Sequence, residues 1–301
     1  MEFLKFIIIL PKSIHYLVRI NKSDTEHIHA HWANMPTTIA YLISTCVDDI
    51  SYSFTGHAWD IHSNQIDQEF LDIKIKQAEY VITCTKYNKK YLDELQSNET
   101  PIYINYHGVV PDKYHSNRKS EKQTYFVAGG RLVEKKGFKE LIQAVKIAKE
   151  KYGCEIPVVL FGSGPQEKSL KKLKRSHNLE NIDMTGKIPH NDVKEILCNA
   201  QVFVAPSIEP DNGDIDGIPN VVLEAFASTT PVIGSDLSGI PEVVKHNHTG
   251  WLVEPSNIEE LAEALVNAWR SPALCKELGK MGEIKSNQIL ISTKILVNSY
   301  Q

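Results

Sequence analysis

The chain has 301 residues, 42% of them hydrophobic and 23% charged, with a formal net charge of −4 at pH 7. That length suits two ordinary cores of a soluble globular protein, and the mild negative balance excludes the basic field of a nucleic-acid binder. Five scattered cysteines, Cys46, Cys84, Cys154, Cys198 and Cys275, form no CxxC pair to hold zinc and read as reduced thiols of a cytoplasmic protein.

The first apolar run, over 6–10, falls short of the ~20 residues that span a bilayer. Met1-Glu2 lacks the basic start of a secretory signal. Helical spacing sets Lys5, Lys12 and Arg19 among apolar residues, which suits either a helix lying on an anionic membrane surface or one facing a core. A strand is predicted over 26–31, a helix over 35–44, and a second strand over 50–55 that runs into Gly56-His57-Ala58-Trp59-Asp60. That order puts an imidazole at a sheet's carboxyl edge, where ligands gather in open α/β proteins. His57 is therefore a candidate general base or sugar-oxygen partner, although most of the 12 histidines must be structural. His27, His29 and His31 alternate along one strand with no carboxylate or cysteine at metal-ligand spacing, and read as a polar strand face. A helix over 70–77, a strand over 79–84, a helix over 86–95 and a strand over 102–105 complete this half, and the polar run over 115–123 reads as a linker.

The alternation then restarts. Strands are predicted over 125–128, 158–161, 182–185, 201–205, 231–234 and 250–253, with helices over 138–149, 166–175, 192–198 and 258–269, a doubly wound α/β domain. The loop over 129–137 brings Arg131 and Lys136 to a helix entry and suits a pyrophosphate. Gly162-Ser163-Gly164-Pro165 allows close backbone approach, but Glu167 occupies the third-glycine position of a dinucleotide fingerprint, which disfavours a nicotinamide enzyme.

The stretch over 206–227, PSIEPDNGDIDGIPNVVLEAFA, is an acidic loop that opens into an apolar helix, with Pro219 expected at the first helical position and the helix end a potential anion site. Glu224 lies inside that apolar run. It is either a partner for ribose hydroxyls or a salt-bridged or solvent-facing structural residue. Asp214-Ile215-Asp216 is a D-x-D triplet, which either holds a divalent cation on a nucleotide or arises by chance in an acidic loop. A calcium loop beginning at Asn212 fails, because its twelfth position is Leu223.

Taken in order, HIHAHWA, FTGHAWDI, VITCTKYNKKYL, NYHGVV, GGRLVEKKGF, FGSGP, TGKIPH, DGIPNVVLEAFASTTPVIGSDLSGIPEVV and TGWLVEP resemble the family-4 retaining glycosyltransferases. The likeness is nearest to bacterial exopolysaccharide and colanic-acid-type members, which share the acidic-Gly-Ile-Pro form of the opening loop. The resemblance implies an α/β GT-B fold: two Rossmann-like domains facing across a cleft, the N-terminal one incomplete. The family's first strand and Gly-rich loop have no counterpart before HIHAHWA. It further implies a partial acceptor-side domain over 1–114, a linker over 115–123, a nucleotide-sugar-binding domain over 124–282 and a C-terminal helix over 283–301 that packs back on the first domain.

By the same resemblance, Arg131 and Lys136 bind the donor diphosphate, Glu224 the ribose, and backbone at Gly164 and Ile188 the base. Gly217, Ile218 and Pro219 form the donor-binding turn. Asp216, one methylene shorter than the family's usual glutamate, contacts the transferred sugar, and His57 reaches that sugar from the first domain. No cofactor and no metal is expected. The implied partners are a UDP- or GDP-sugar and a saccharide or lipid-linked acceptor, met in the cytoplasm or peripherally at the inner membrane face. The rivals are an inactive donor-binding fragment acting as a scaffold and a nucleotide-sugar 2-epimerase.

Overall fold

Strands and helices alternate throughout the computed structural model, which describes residues 2–20, 24–109 and 124–284. The predicted linker over 115–123 and nearly all of the C-terminal helix over 283–301 lie outside these residues. Two compact units divide the chain, one within Met1–Asn105 and Asp211–Gly217, the other within Tyr106–Pro210 and Ile218–Gln301. The sequence reading assigned 211–217 to the second domain. The loop joins the first unit because Asn64 donates its N–H to Asn212 O at 3.0 Å and its side-chain amide to Asp211 O at 2.8 Å.

The first unit contains α1 (Glu2–Ile20), β1 (His27–His31), α2 (Met35–Cys46), β2 (Ser51–Gly56), α3 (Trp59–His62), α4 (Gln68–Gln77), β3 (Val81–Thr83), α5 (Lys86–Leu95) and β4 (Ile102–Ile104). Its four strands pair in parallel in the order β1-β2-β3-β4. Side chains alternate across a strand, so Ala30, Tyr52, Phe54, Val81 and Ile102 share one face and enter the core with Leu71, Ile75 and Leu92 from the helices. The opposite face is polar, which departs from the apolar rule for parallel strands. There His27 nitrogens lie 2.7 Å from the hydroxyls of Ser51 and Ser53, and His29 nitrogens 2.7 and 2.8 Å from those of Ser53 and Thr55. Burial, with His31 and His27 alongside, holds the His29 imidazole below its ordinary pKa. Local caps fix the helix starts: Asp67 accepts from the Phe70 N–H and Thr85 from the Asn88 N–H, each worth ~1 kcal/mol.

The second unit runs β5 (Phe126–Gly129), α6 (Phe138–Tyr152), β6 (Val158–Phe161), α7 (Glu167–Ser176), β7 (Ile182–Gly186), α8 (His190–Asn199), β8 (Val202–Ala205), α9 (Asn220–Ala227), β9 (Val232–Ser235), α10 (Ile240–Val243), β10 (Gly250–Val253) and α11 (Ile258–Arg270). A further helix, α12, covers 272–284. Its sheet is wholly parallel, with strand order β10-β9-β8-β5-β6-β7. Both faces are covered, as the unbroken apolar strands require. Phe126, Ala128, Val202 and Val204 pack with α6 and α11, whereas Val127, Phe203 and Ala205 pack with α8, α9 and α10. The order of the strands reverses between β5 and β8, and the crevice outside their carboxyl ends is the site that such sheets offer to a ligand.

Candidate functional site

A recess opens at that reversal. It is lined by Gly129 at the end of β5, by Lys136 and Phe138, by β8 and its continuation through Pro206 and Ser207, and by Pro219 and Val221 at the start of α9. Lys136 ends a short 3-10 turn over Glu134–Lys136 and is half-buried. Its Cε lies 3.8 Å from the point where a Cβ on Gly130 would stand, an ordinary contact distance, and Gly130 is suited to its place by its φ of +138°. Pro219 is the N-cap of α9, with φ −61° and ψ 127°, not its first helical residue. The extended ψ ends the acidic loop one residue later than expected, and the first free amides of the helix start at Asn220. The recess is thus lined by both a cationic side chain and the positive end of a helix dipole.

The neighbouring loops are tied to it through the backbone. Leu132 N–H donates to Ser163 O at 2.9 Å, and a Cβ on Gly164 would stand 2.5 Å from Leu132 O, so only glycine allows this approach. Arg131 is exposed and does not line the recess. Ile188 is half-buried and packs against the core cluster to which Phe161 and Phe203 belong. Glu224 is half-buried and stands three residues after Val221, hence on the same side of α9 as a recess-lining residue. Sequence reasoning missed Ser207, buried and directly past β8; the same strand-end rule that singled out His57 would have found it.

In the first unit, Asp60 is fully buried, accepting from His57 N–H at 2.9 Å and from Ala33 N–H at 2.5 Å. Burial pushes its carboxyl above the ordinary range, while those N–H groups and Lys74 pull the other way. The residue thereby fixes the loop that carries His57. The His57 ring packs on Trp32 with centroids 4.5 Å apart and lies nearly parallel to His31 at 6.1 Å. Asp216 and Gly217 belong to this same unit, where a Cβ on Gly217 would stand 3.6 Å from both Cys84 Sγ and Thr85 Cγ2, and 4.0 Å from Ala58 Cβ. His57, Asp216 and Gly217 thus fall in one unit, and Arg131, Lys136, Gly164, Ile188, Ile218, Pro219 and Glu224 in the other.

The family described as glycosyl transferases group 1 matches residues 110–285. The amylovoran biosynthesis glycosyltransferase AmsK of Erwinia amylovora is 33% identical over 162 residues, covering 53% of this chain and 40% of that protein. A protein of Escherichia coli named for colanic acid biosynthesis, WcaL, is 38% identical over 140 residues, covering 46% of this chain and 34% of its own. The chain thus spans about a third to two-fifths of the length of these relatives. Among solved structures, Anabaena HepE in complex with UDP superposes with a TM-score of 0.80 at 15% identity, covering 96% of this chain and 82% of HepE. The fold is accordingly the GT-B fold. With more than half of its length matched, the chain belongs to the glycosyl transferases group 1 family.

Proposed function

We propose that this chain transfers a sugar from a nucleotide diphosphate sugar to a saccharide or lipid-linked acceptor, with retention at the anomeric carbon, in the synthesis of a cell-surface polysaccharide. The observation that carries this reading is the recess between β5 and β8, where Lys136 and the amino end of α9 converge on one spot. Cleavage of the bond between the anomeric carbon and the diphosphate oxygen leaves positive charge on the sugar and negative charge on the diphosphate. Lys136, Arg131 and the α9 dipole stabilise the second. Glu224 holds the ribose, backbone at Gly164 and Ile188 seats the base, and Gly217, Ile218 and Pro219 turn the chain about the donor. His57 and Asp216 contact the transferred sugar, and the acceptor oxygen attacks on the face that the diphosphate leaves. No metal at Asp214-Ile215-Asp216 takes part. The UDP in the HepE complex supports a uridine donor, and the names of AmsK and WcaL support an exopolysaccharide product.

Thermal shifts with UDP, GDP and ADP test donor binding, since a ligand at about 100 times its dissociation constant adds roughly 2.7 kcal/mol. Incubation of UDP- and GDP-sugars with a membrane extract tests transfer, which should survive EDTA. Nucleotide binding without release or transfer would favour an inactive fragment, and conversion of the donor with no acceptor present a 2-epimerase.

The reaction takes place at the cytoplasmic face of the inner membrane. No described helix is long and apolar enough to cross a membrane, but α1 exposes Ile14, Tyr16 and Val18 at 53%, 48% and 52%, beside exposed Lys12 and Arg19. Such a surface suits anionic headgroups. Co-sedimentation with vesicles containing phosphatidylglycerol should exceed that with pure phosphatidylcholine and fall in an Ile14→Glu, Val18→Glu double variant. Equal recovery from both vesicle types would remove the membrane from the proposal.

A further inference from the structure

Trp32 follows β1 directly, at the carboxyl edge of the first sheet, and is 45% exposed with φ +80°. That left-handed backbone is strained for any bulky residue and suits glycine. Much of the surrounding structure maintains it. Trp32 N–H donates to Thr55 O at 2.9 Å, and Thr37 Oγ1 donates to Trp32 O at 2.7 Å. The next residue, Ala33, gives its N–H to buried Asp60 and receives Lys74 Nζ on its carbonyl, each at 2.5 Å. Asp60 and Lys74, both buried, thus hold the two peptide units on either side of Ala33, the first of which it shares with Trp32, while Asp60 also holds the His57 backbone.

An indole that served packing would be buried. This one is held in strained backbone with nearly half its surface in solvent, against the His57 ring and close to the exposed His31 ring. A broad apolar face with hydrogen-bonding groups at its border matches a pyranose, whose C–H face stacks on an aromatic ring while its hydroxyls point outward. We propose that Trp32 is the stacking platform for a hexopyranose of the acceptor saccharide, with the His57 and His31 imidazoles as hydroxyl partners. Asp60 and Lys74 are positioning residues for that platform. The inference rests on the transferase reading and names a place in the first unit for the acceptor.

Saturation-transfer NMR with glucose, galactose, mannose, maltose and lactose at millimolar concentration tests it, alongside UDP as a separate probe. The full chain should transfer saturation to the ring protons of at least one saccharide. Trp32→Gly should weaken that binding about ten-fold, as loss of an aromatic contact predicts, and Trp32→Phe should keep most of it. Because glycine accepts the backbone at this position, Trp32→Gly should retain or raise the wild-type Tm and bind UDP unchanged. The inference is overturned if no saccharide in the set binds the wild type, if Trp32→Gly binds as the wild type does, or if Trp32→Gly lowers Tm by many degrees, which would make the indole a packing residue. UDP binding without saccharide binding sinks this inference and spares the donor site; the converse sinks the donor site alone.

Discussion

A Lys136→Ala variant is expected to lose about 10²–10³-fold in kcat, the usual cost of removing one preorganised donor aimed at developing negative charge. The magnitude follows from position. Lys136 is half-buried and lines the recess at the strand reversal together with the start of α9, and charge there is screened far less than on open surface. Arg131 carries the same formal charge but is exposed and stands outside the recess lining. Its alanine variant should lose no more than about ten-fold, in keeping with the small worth of exposed charge contacts. Lys136→Arg should recover part of the loss, since it keeps the charge but not the reach. Steady-state rates with a UDP-sugar, set beside unchanged melting temperatures, measure all three. A kcat for Lys136→Ala within about three-fold of wild type, less than 1 kcal/mol of barrier, would remove the lysine from the leaving-group site.

Much of the fold was legible in the sequence because apolar periodicity and turn residues agreed. The bounds of α5, β6 and β10 coincide with those expected, and the other expected strands and helices shift by one to three residues at their ends, whereas the short α3 and α10 were not expected. Those ends depend on neighbours that no local pattern reports. Pro219 shows this on a small scale: its fixed φ suits a helix, but the preceding loop leaves its ψ at 127° and delays the first turn. The loop over 211–217 shows it on a larger one. Its composition says only that it is an acidic turn, whereas its place in the first unit is set by Asn64, more than a hundred residues earlier in the chain. In the candidate site, Lys136 was legible from the small residues and cations at a helix entry. Ser207 and Trp32 were not weighed: both follow a strand, where the rule applied to His57 also points, but neither belongs to a motif of its own. What marks Trp32 is its backbone angle, and what marks Asp60 is burial with two backbone donors; both are tertiary quantities.

Gly137→Ala should be among the most destabilising single-methyl substitutions in the second unit's loops. Gly137 has φ +65° and joins the Lys136 turn to α6. Leaving glycine there costs an L-residue about 1–2 kcal/mol in the left-handed region. The methyl would also stand 1.7 Å from the carbonyl oxygen of Pro206 and 2.8 Å from its carbon, a backbone clash that no rotamer change relieves and that adds roughly 1–3 kcal/mol as the loops separate. The sum, about 2–5 kcal/mol, corresponds to a fall in Tm of roughly 5–15 °C for a unit of this size. Gly153 supplies the control. Its φ of +64° is nearly the same, yet a Cβ there meets nothing within 4 Å, so Gly153→Ala should lose only the conformational share, about 1–2 kcal/mol. The separation has a functional consequence as well. Pro206 lines the recess with Lys136, and Ile208 N–H donates to Lys135 O at 3.0 Å, so forcing the β8 loop away from Gly137 moves part of the recess lining. Gly137→Ala should therefore also reduce the UDP-induced thermal shift, while Gly153→Ala leaves that shift intact. Equal Tm losses in the two variants would mean that the backbone angle alone sets the cost, and that the close approach of the β5 and β8 loops contributes nothing to holding the recess.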